Sequence, residues 1–384
     1  FTSLGKKFDT DLKPLYFLLF IWKNFMRKSY HEAINSKVVF QNNVISWFKN
    51  NKRILPWRDK RDKFNYPYRV MVSEFMLQQT VVKTVIPFFN KFIKKWRDLK
   101  SLSQASEEEL LLHWQGLGYY SRARNLLKTA IILSENFDGI IPKNQDELNK
   151  LPGIGSYASA AIIAIAFNKP AVVIDGNIKR VISRYLGFHG TLEDNKSIIE
   201  EAANTLSVKK NNEYYSQGMM ELGALICKPK SPLCSQCPVV KECVSYKLKI
   251  QDQVPEAKKR NKKKKLYCSS TLILDNNENI LLKKRETKIL QDQWDLPSTE
   301  WKGQEIREVV KPFPQLELEY ERSKELYNHI FSHIDLKTRV YFSKIKTKER
   351  KLNNDLYKWV SLKKINKYPT TLICRNILKN YNLI

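Results

Sequence analysis

Leu151-Pro152-Gly153-Ile154-Gly155 is the stretch on which the fold turns. A Gly-x-Gly that opens a helix presents bare backbone N–H groups at the positive helix end, where a phosphate approaches closely. No strand pattern precedes it and no second strand–helix unit follows, which counts against a dinucleotide-binding fold. Apolar residues recur at three- and four-residue spacing around it, as in Val38-Val39, Val44-Ile45 and Trp47-Phe48, and again from Leu110 to Leu127. Flanked by helices, Gly153 and Gly155 read as a helix-hairpin-helix clamp on a phosphate backbone. The helical pattern holds from about Ser36 to Ile226. N-caps are expected at Ser106, ahead of Glu107-Glu108-Glu109, and at Asn144, ahead of Asp146-Glu147.

Further along, seven of the eight residues from Lys258 to Lys265 are basic. A run of like charge cannot fold on itself and reads as a linker, solvated or touching phosphate. Beyond it the period changes to two. Leu266 to Leu274 and Ile280 to Lys284, across Asp275-Asn276-Asn277, predict a β-hairpin. Val340-Tyr341-Phe342 and Tyr357 to Val360 predict further strands, and Leu372 to Tyr381 a last helix. The chain of 384 residues is long enough for two or three domains. The expected division is an N-terminal extension over 1–36, a helical catalytic core over 37–226, a cysteine loop over 227–243, a basic linker over 244–266, and an α+β domain over 267–384.

A hydrophobic fraction of 42% argues against disorder, and 12 Gly with 15 Pro excludes collagen-like or low-complexity architecture. With 67 basic against 39 acidic residues the net charge is +28, which favours a polyanionic partner, nucleic acid ahead of a membrane surface. A surface rich in lysine for other reasons has the same balance, so basicity alone decides little. The apolar run Pro14 to Trp22 is short of the ~20 residues that cross a bilayer. It reads as dispensable or mistranslated upstream sequence, with Met26 as a plausible start. The protein is expected to be cytoplasmic, nucleoid-associated if bacterial, and associated with no membrane.

Cys227, Cys234, Cys237 and Cys243 are spaced C-x6-C-x2-C-x5-C. Four thiols so close together suit a metal site better than disulfides in an intracellular chain. An iron–sulfur cube is favoured over zinc, whose four-cysteine sites usually pair two CxxC knuckles. Cys268 and Cys374 lie outside the set and read as buried core. Asp175, in Ile174-Asp175-Gly176-Asn177, stands at a loop-to-helix junction; alone, such an Asp is more often a cap than a catalyst.

The hairpin, the downstream Asp and the four-cysteine loop, in this order, resemble the helix-hairpin-helix DNA glycosylase superfamily. Leu55-Pro56-Trp57-Arg58, Ser73-Glu74-Phe75-Met76-Leu77-Gln78-Gln79-Thr80 and Gly116-Leu117-Gly118-Tyr119-Tyr120-Ser121-Arg122-Ala123-Arg124 narrow the resemblance to MutY-type adenine DNA glycosylases, over about residues 37 to 384. The run Asp59 to Tyr66 is a few residues longer than in the family. The implied fold is an all-α helix-hairpin-helix glycosylase core with an iron–sulfur loop, followed by an α+β Nudix-like domain.

The resemblance implies that Glu74 protonates a ring nitrogen of an extruded adenine, for which its pKa must be raised. Asp175 is the implied ionised partner facing the oxocarbenium-like sugar. Lyase members carry a Lys where this chain has Tyr157, and a phenol forms no Schiff base. The expected enzyme is therefore monofunctional, with Tyr157 and Asn177 orienting the sugar. Gln79 and Tyr119 match positions that fill the duplex when adenine leaves it, and Arg58 a DNA-contacting position. One of Tyr119 and Tyr120 is expected in the core. Trp294-Asp295-Leu296-Pro297 resembles a Nudix-domain strand, but the following region lacks the glutamates that hold Mg²⁺, so no nucleoside diphosphate hydrolysis is expected. Phe331-Ser332-His333 matches a loop that recognises 8-oxoguanine, through Ser332 and His333.

The expectation is thus a monomeric adenine glycosylase of base excision repair with a [4Fe-4S] cluster. Its substrate is duplex DNA holding A opposite 8-oxoguanine or G. The alternatives are a bifunctional pyrimidine-lesion glycosylase/lyase and a non-catalytic DNA-binding clamp. A fragment ending near Tyr246 is expected to remove adenine still.

Overall fold

The computed structural model describes residues 32, 34–258, 262–346 and 354–384. The apolar run Pro14 to Trp22 and Met26 lie outside the described residues. The chain forms two compact units, one from residues up to Gln78 together with Ile140–Lys258, the other from Gln79–Gly139 together with Lys259–Ile384.

The first unit is helical. At its centre lies the helix Ser156–Phe167 (SYASAAIIAIAF), buried from Ala158 to Ile165. A helix apolar on every side is driven into a core, and its alanines let the helix Tyr66–Leu77 pack directly on it. The short helix Gln145–Asn149 precedes it, capped by Asn144 accepting from the Asp146 and Glu147 amides, as expected. Between the two helices Gly153 takes φ +77°, a left-handed conformation that favours glycine. The helices Lys37–Asn51, Gly176–Leu186, Lys196–Leu206 and Asn212–Glu221 complete the unit. The ring of Phe40 lies 4.4 Å from that of Tyr185 in its aromatic core.

The second unit joins a helical segment to a sheet. Its helices are Val82–Lys95, Leu99–Ser103, Glu107–Trp114 and Ser121–Asn136. Ser106 caps the third by accepting from the Glu109 amide, as expected. The seven-stranded sheet comprises β1 (Lys264–Asp275), β2 (Asn279–Lys284), β3 (Trp294–Asp295), β4 (Glu321–Arg322), β5 (Tyr327–Ile330), β6 (Ile334–Ile345) and β7 (Tyr357–Ser361). The expected hairpin is β1–β2, its turn closed by Asp275 Oδ1, which accepts from the Asn277 and Asn279 amides. β1 pairs in parallel with β6 from Lys264↔Ile334 to Asp275↔Ile345 and is buried on both faces from Cys268 onward. Such a strand loses the clean alternation of a half-exposed one. The basic run does not end as a linker: Lys264 and Lys265 already belong to β1. The final helix, Leu372–Asn380, buries Cys374 and Leu378 against this sheet, and Cys268 is buried as well. Among the described residues no helix is long and apolar enough to cross a membrane.

Candidate active site

Glu74 sits in the helix Tyr66–Leu77, where Val70 to Met76 are all buried, and is itself 4% exposed. Burial penalises the carboxylate and pushes its pKa up to about 7. The phenol of Tyr157 donates to Glu74 Oε2 at 2.9 Å, which pulls the other way; the charge of Asp175 adds to the rise. Tyr157 belongs to the first turn of the helix Ser156–Phe167, so the hairpin that exposes Gly153 and Gly155 also sets this hydrogen bond. A Cβ on Gly155 would meet nothing within 4 Å, which leaves its backbone open to a ligand.

Asp175 is the N-cap of the helix Gly176–Leu186. It accepts from the Ile178 amide at 2.6 Å and from Asn177 Nδ2 at 3.0 Å. Burial nevertheless outweighs those bonds and raises its pKa above the ordinary carboxylate value. Asp175 is therefore both cap and candidate catalytic group, and the capping bonds fix its orientation. Asn177 Oδ1 accepts from Arg180 at 2.9 Å, and Arg180 also donates to the carbonyls of Gly223 (2.7 Å) and Cys227 (2.8 Å). Gly223 lies in a π-helical turn, Leu222–Ile226, and a Cβ there would fall 2.6 Å from that of Asn177. Only glycine lets the turn approach the Asp175–Asn177 corner so closely.

The cysteine loop follows at once. Its four thiols are half-buried and free. Short 3₁₀ turns at Cys234–Gln236 and Val240–Glu242 fold it back on itself. The thiols lie close enough that Cys237 feels the charges of Cys227, Cys243 and Cys234, and burial pushes Cys237 and Cys243 up to about 12. Arg184 donates to Cys227 Sγ (3.4 Å) and to the carbonyls of Lys228 (2.6 Å) and Pro229 (3.0 Å). Among the described residues no group of three or more His, Cys, Asp or Glu is set to hold a single metal ion. Four grouped sulfurs with an arginine donor on one of them fit a thiolate-bound cluster.

Several of these residues escaped the sequence reading. Arg180 and Arg184 fall three and seven positions after Asn177, on one helical face, a spacing legible in sequence. Glu221 carried no signal. It is buried, held by Arg53 at 2.8 Å and by Arg58 at 2.7 Å. Arg58 also donates to Gln217 Oε1 (2.6 Å) and the Arg53 carbonyl (2.9 Å), which fixes its side chain in this cluster.

In the second unit Gln79 and Tyr119 both have positive φ, +58° and +48°, and both are exposed. Tyr120 turns inward, the core member of the pair. Ser332 and His333 form the exposed tip between β5 and β6, closed by the Phe331 amide on the Ile334 carbonyl at 2.8 Å. Lys263 Nζ donates to the Phe331 carbonyl at 2.9 Å beside it.

Residues 72–207 match the family of HhH-GPD superfamily base excision DNA repair proteins, and residues 270–380 match the NUDIX domain. The adenine DNA glycosylase of Buchnera aphidicola subsp. Schizaphis graminum is 35% identical over 303 residues, covering 78% of this chain and 85% of that protein. The adenine DNA glycosylase of Homo sapiens is 30% identical over 379 residues, covering 82% of this chain and 68% of that one. Among solved structures, a thermostable thymine-DNA glycosylase is 28% identical with a TM-score of 0.49, covering 56% of this chain and 98% of that chain. With identity at this level across both its helical and its sheet-forming parts, the chain belongs to the adenine DNA glycosylase family.

Proposed function

We propose that this protein hydrolyses the N-glycosidic bond of adenine opposite 8-oxoguanine or guanine in duplex DNA, leaving the abasic strand unbroken. The observation that carries the reading is the buried Glu74 carboxyl, with a pKa near 7 and a 2.9 Å hydrogen bond from Tyr157. At neutral pH a large fraction of it holds a proton, which it delivers to a ring nitrogen of the extruded base and so improves the leaving group. Asp175, oriented by Ile178 and Asn177, faces the positive charge that develops on the sugar. Tyr157 contributes a hydrogen bond and no amine, so no Schiff base forms at that position. Gly153 and Gly155 offer their backbone to a phosphate, and Gln79 and Tyr119 fill the space that adenine vacates. Ser332 and His333 read the opposite base.

Cys227, Cys234, Cys237 and Cys243 are the residues to hold a [4Fe-4S] cluster. When bound, such a cluster supplies a rigid, charged centre for the loop beside the helix Gly176–Leu186.

The test is a glycosylase assay on duplexes with A opposite 8-oxoguanine and A opposite G, resolved with and without hot alkali. Strand breaks that need alkali are expected. A covalent adduct trapped by borohydride in high yield overturns the monofunctional reading, and intact adenine overturns the activity. Iron analysis of anaerobically purified protein tests the cysteines; stoichiometric zinc without iron removes the cluster.

A further inference from the structure

The segment from Gln115 to Arg124, which carries Tyr119, is fastened at both ends to the sheet-bearing part of the second unit. At its start Gln115 follows the helix Glu107–Trp114. Its Nε2 donates to the Thr370 carbonyl at 2.6 Å and hydroxyl at 3.1 Å. Arg375 closes the bridge, donating to Gln115 Oε1 at 3.2 Å and to Thr370 Oγ1 at 2.8 Å. Both ends of the Gln115 amide are thus matched, and Thr370 is fully buried. At the far end Arg124 pairs with Asp292 at 3.4 Å and donates to the Gln291 carbonyl, while Glu107 accepts from it at 2.6 Å.

Between these anchors the backbone is contorted. Gly116, Gly118 and Tyr119 have φ of +105°, +72° and +48°. A non-glycine residue persists in that region only where its surroundings over-determine it. Arg122, buried within the turn, donates to the Leu117 and Gly118 carbonyls at 3.2 and 3.0 Å. It also donates to the Thr80 hydroxyl at 3.1 Å, next to Gln79. One frame therefore holds both exposed turns.

We infer that Gln115, Thr370 and Arg375 are positioning residues for adenine extrusion: through them the C-terminal domain holds the Tyr119 turn in the shape that enters the duplex. The inference rests on the proposed role of Tyr119. It adds to the expectation that a fragment ending near Tyr246 still removes adenine: that fragment lacks Thr370 and Arg375 and is expected to do so more slowly.

The experiment uses the full-length protein with Gln115→Leu, Arg375→Lys and the double substitution, beside wild type and Tyr119→Ala. Lysine keeps the charge but replaces the planar fork that spans Thr370 and Gln115 with a single flexible ammonium. Single-turnover excision is measured opposite 8-oxoguanine. A second duplex carries 2-aminopurine at the adenine position, whose fluorescence rises on unstacking. Each single variant is expected to lose about tenfold in rate, with a matching fall in fluorescence. The double variant is expected to be about as poor as the worse single one, since both break the same bridge. Duplex affinity and melting temperature, which a purely structural role would lower, are expected to hold. If Gln115→Leu fails to fold, Arg375→Lys alone decides. Rate and fluorescence within about twofold of wild type, or additive losses, overturn the inference. A defective Tyr119→Ala beside unaffected bridge variants overturns this inference alone. If Tyr119→Ala is also unaffected, the wedge reading falls and the inference with it.

Discussion

Glu74 lies in the middle of a helix at 4% exposure, its backbone ordinary and its carboxyl desolvated. Tyr119 stands in a turn at 43% exposure, its ring open to solvent and its backbone at φ +48°. The first residue is tuned by what surrounds its side chain, the second by what constrains its main chain. A proton donor at neutral pH needs a raised pKa, and burial is the direct means of raising a carboxyl. A ring proposed to enter a base stack has to begin outside the protein, and a rigid turn keeps it aimed. The same division separates Asp175, capped and partly buried, from Ser332 and His333 at a hairpin tip.

The comparison breaks most sharply at Glu74. Glu74→Gln is expected to lower the single-turnover excision rate by about 10²–10⁴-fold, the usual worth of general acid catalysis, while duplex affinity survives. A variant with near wild-type turnover would place the acid elsewhere. Tyr119→Ala is expected to cost about 10–100-fold, since stacking on a base contributes ~1–3 kcal/mol. That loss should appear in the 2-aminopurine signal, whereas Glu74→Gln should leave the signal at the wild-type level. If both variants lose fluorescence equally, chemistry and base handling are not divided as described.

Ser332→Ala with His333→Ala is expected to cut the preference for A opposite 8-oxoguanine over A opposite G by about tenfold, a hydrogen bond's worth at a base edge. Equal loss on both substrates, at one salt concentration, would reduce the tip to a general DNA contact. The smallest effect concerns pH. Glu74 is proposed to act protonated and titrates near 7, and Asp175 is proposed to act ionised. The rate should therefore fall by up to about tenfold per unit above neutral pH, and fall again in acid as Asp175 takes up a proton. The Tyr157 hydrogen bond stabilises the carboxylate and so lowers that pKa. Tyr157→Phe should move the falling limb to higher pH; a shift to lower pH would show that the phenol favours the neutral acid.

Much of the site was legible because short-range rules govern it. The Asn144 and Ser106 caps follow from a side-chain oxygen that reaches an amide two or three residues on. The Gly153–Gly155 turn and the C-x6-C-x2-C-x5-C loop are local patterns of the same kind. The Arg58–Glu221 pair was not legible, because its members lie far apart along the chain and nothing near either residue announces it. The residues by themselves predict that one of Tyr119 and Tyr120 is core but not which, since alternating exposure in an irregular turn has no period. Only the resemblance pointed to Tyr119 as the outward one.

The sequence by itself determined the helical nature of the first part, the change to strands after the basic run, the four-cysteine spacing, and the absence of a lysine at position 157. These depend on residue type and on separations of a few positions. Only the tertiary structure decided that Tyr157 reaches Glu74, that Gly223 presses on Asn177, and that residues 79–139 belong to one compact unit with residues 259–384. The physical reason is that burial, and with it the pKa of Glu74, belongs to no local window. It arises when helices distant in the chain exclude water from one another, and that exclusion makes an ordinary helix glutamate into an acid at neutral pH.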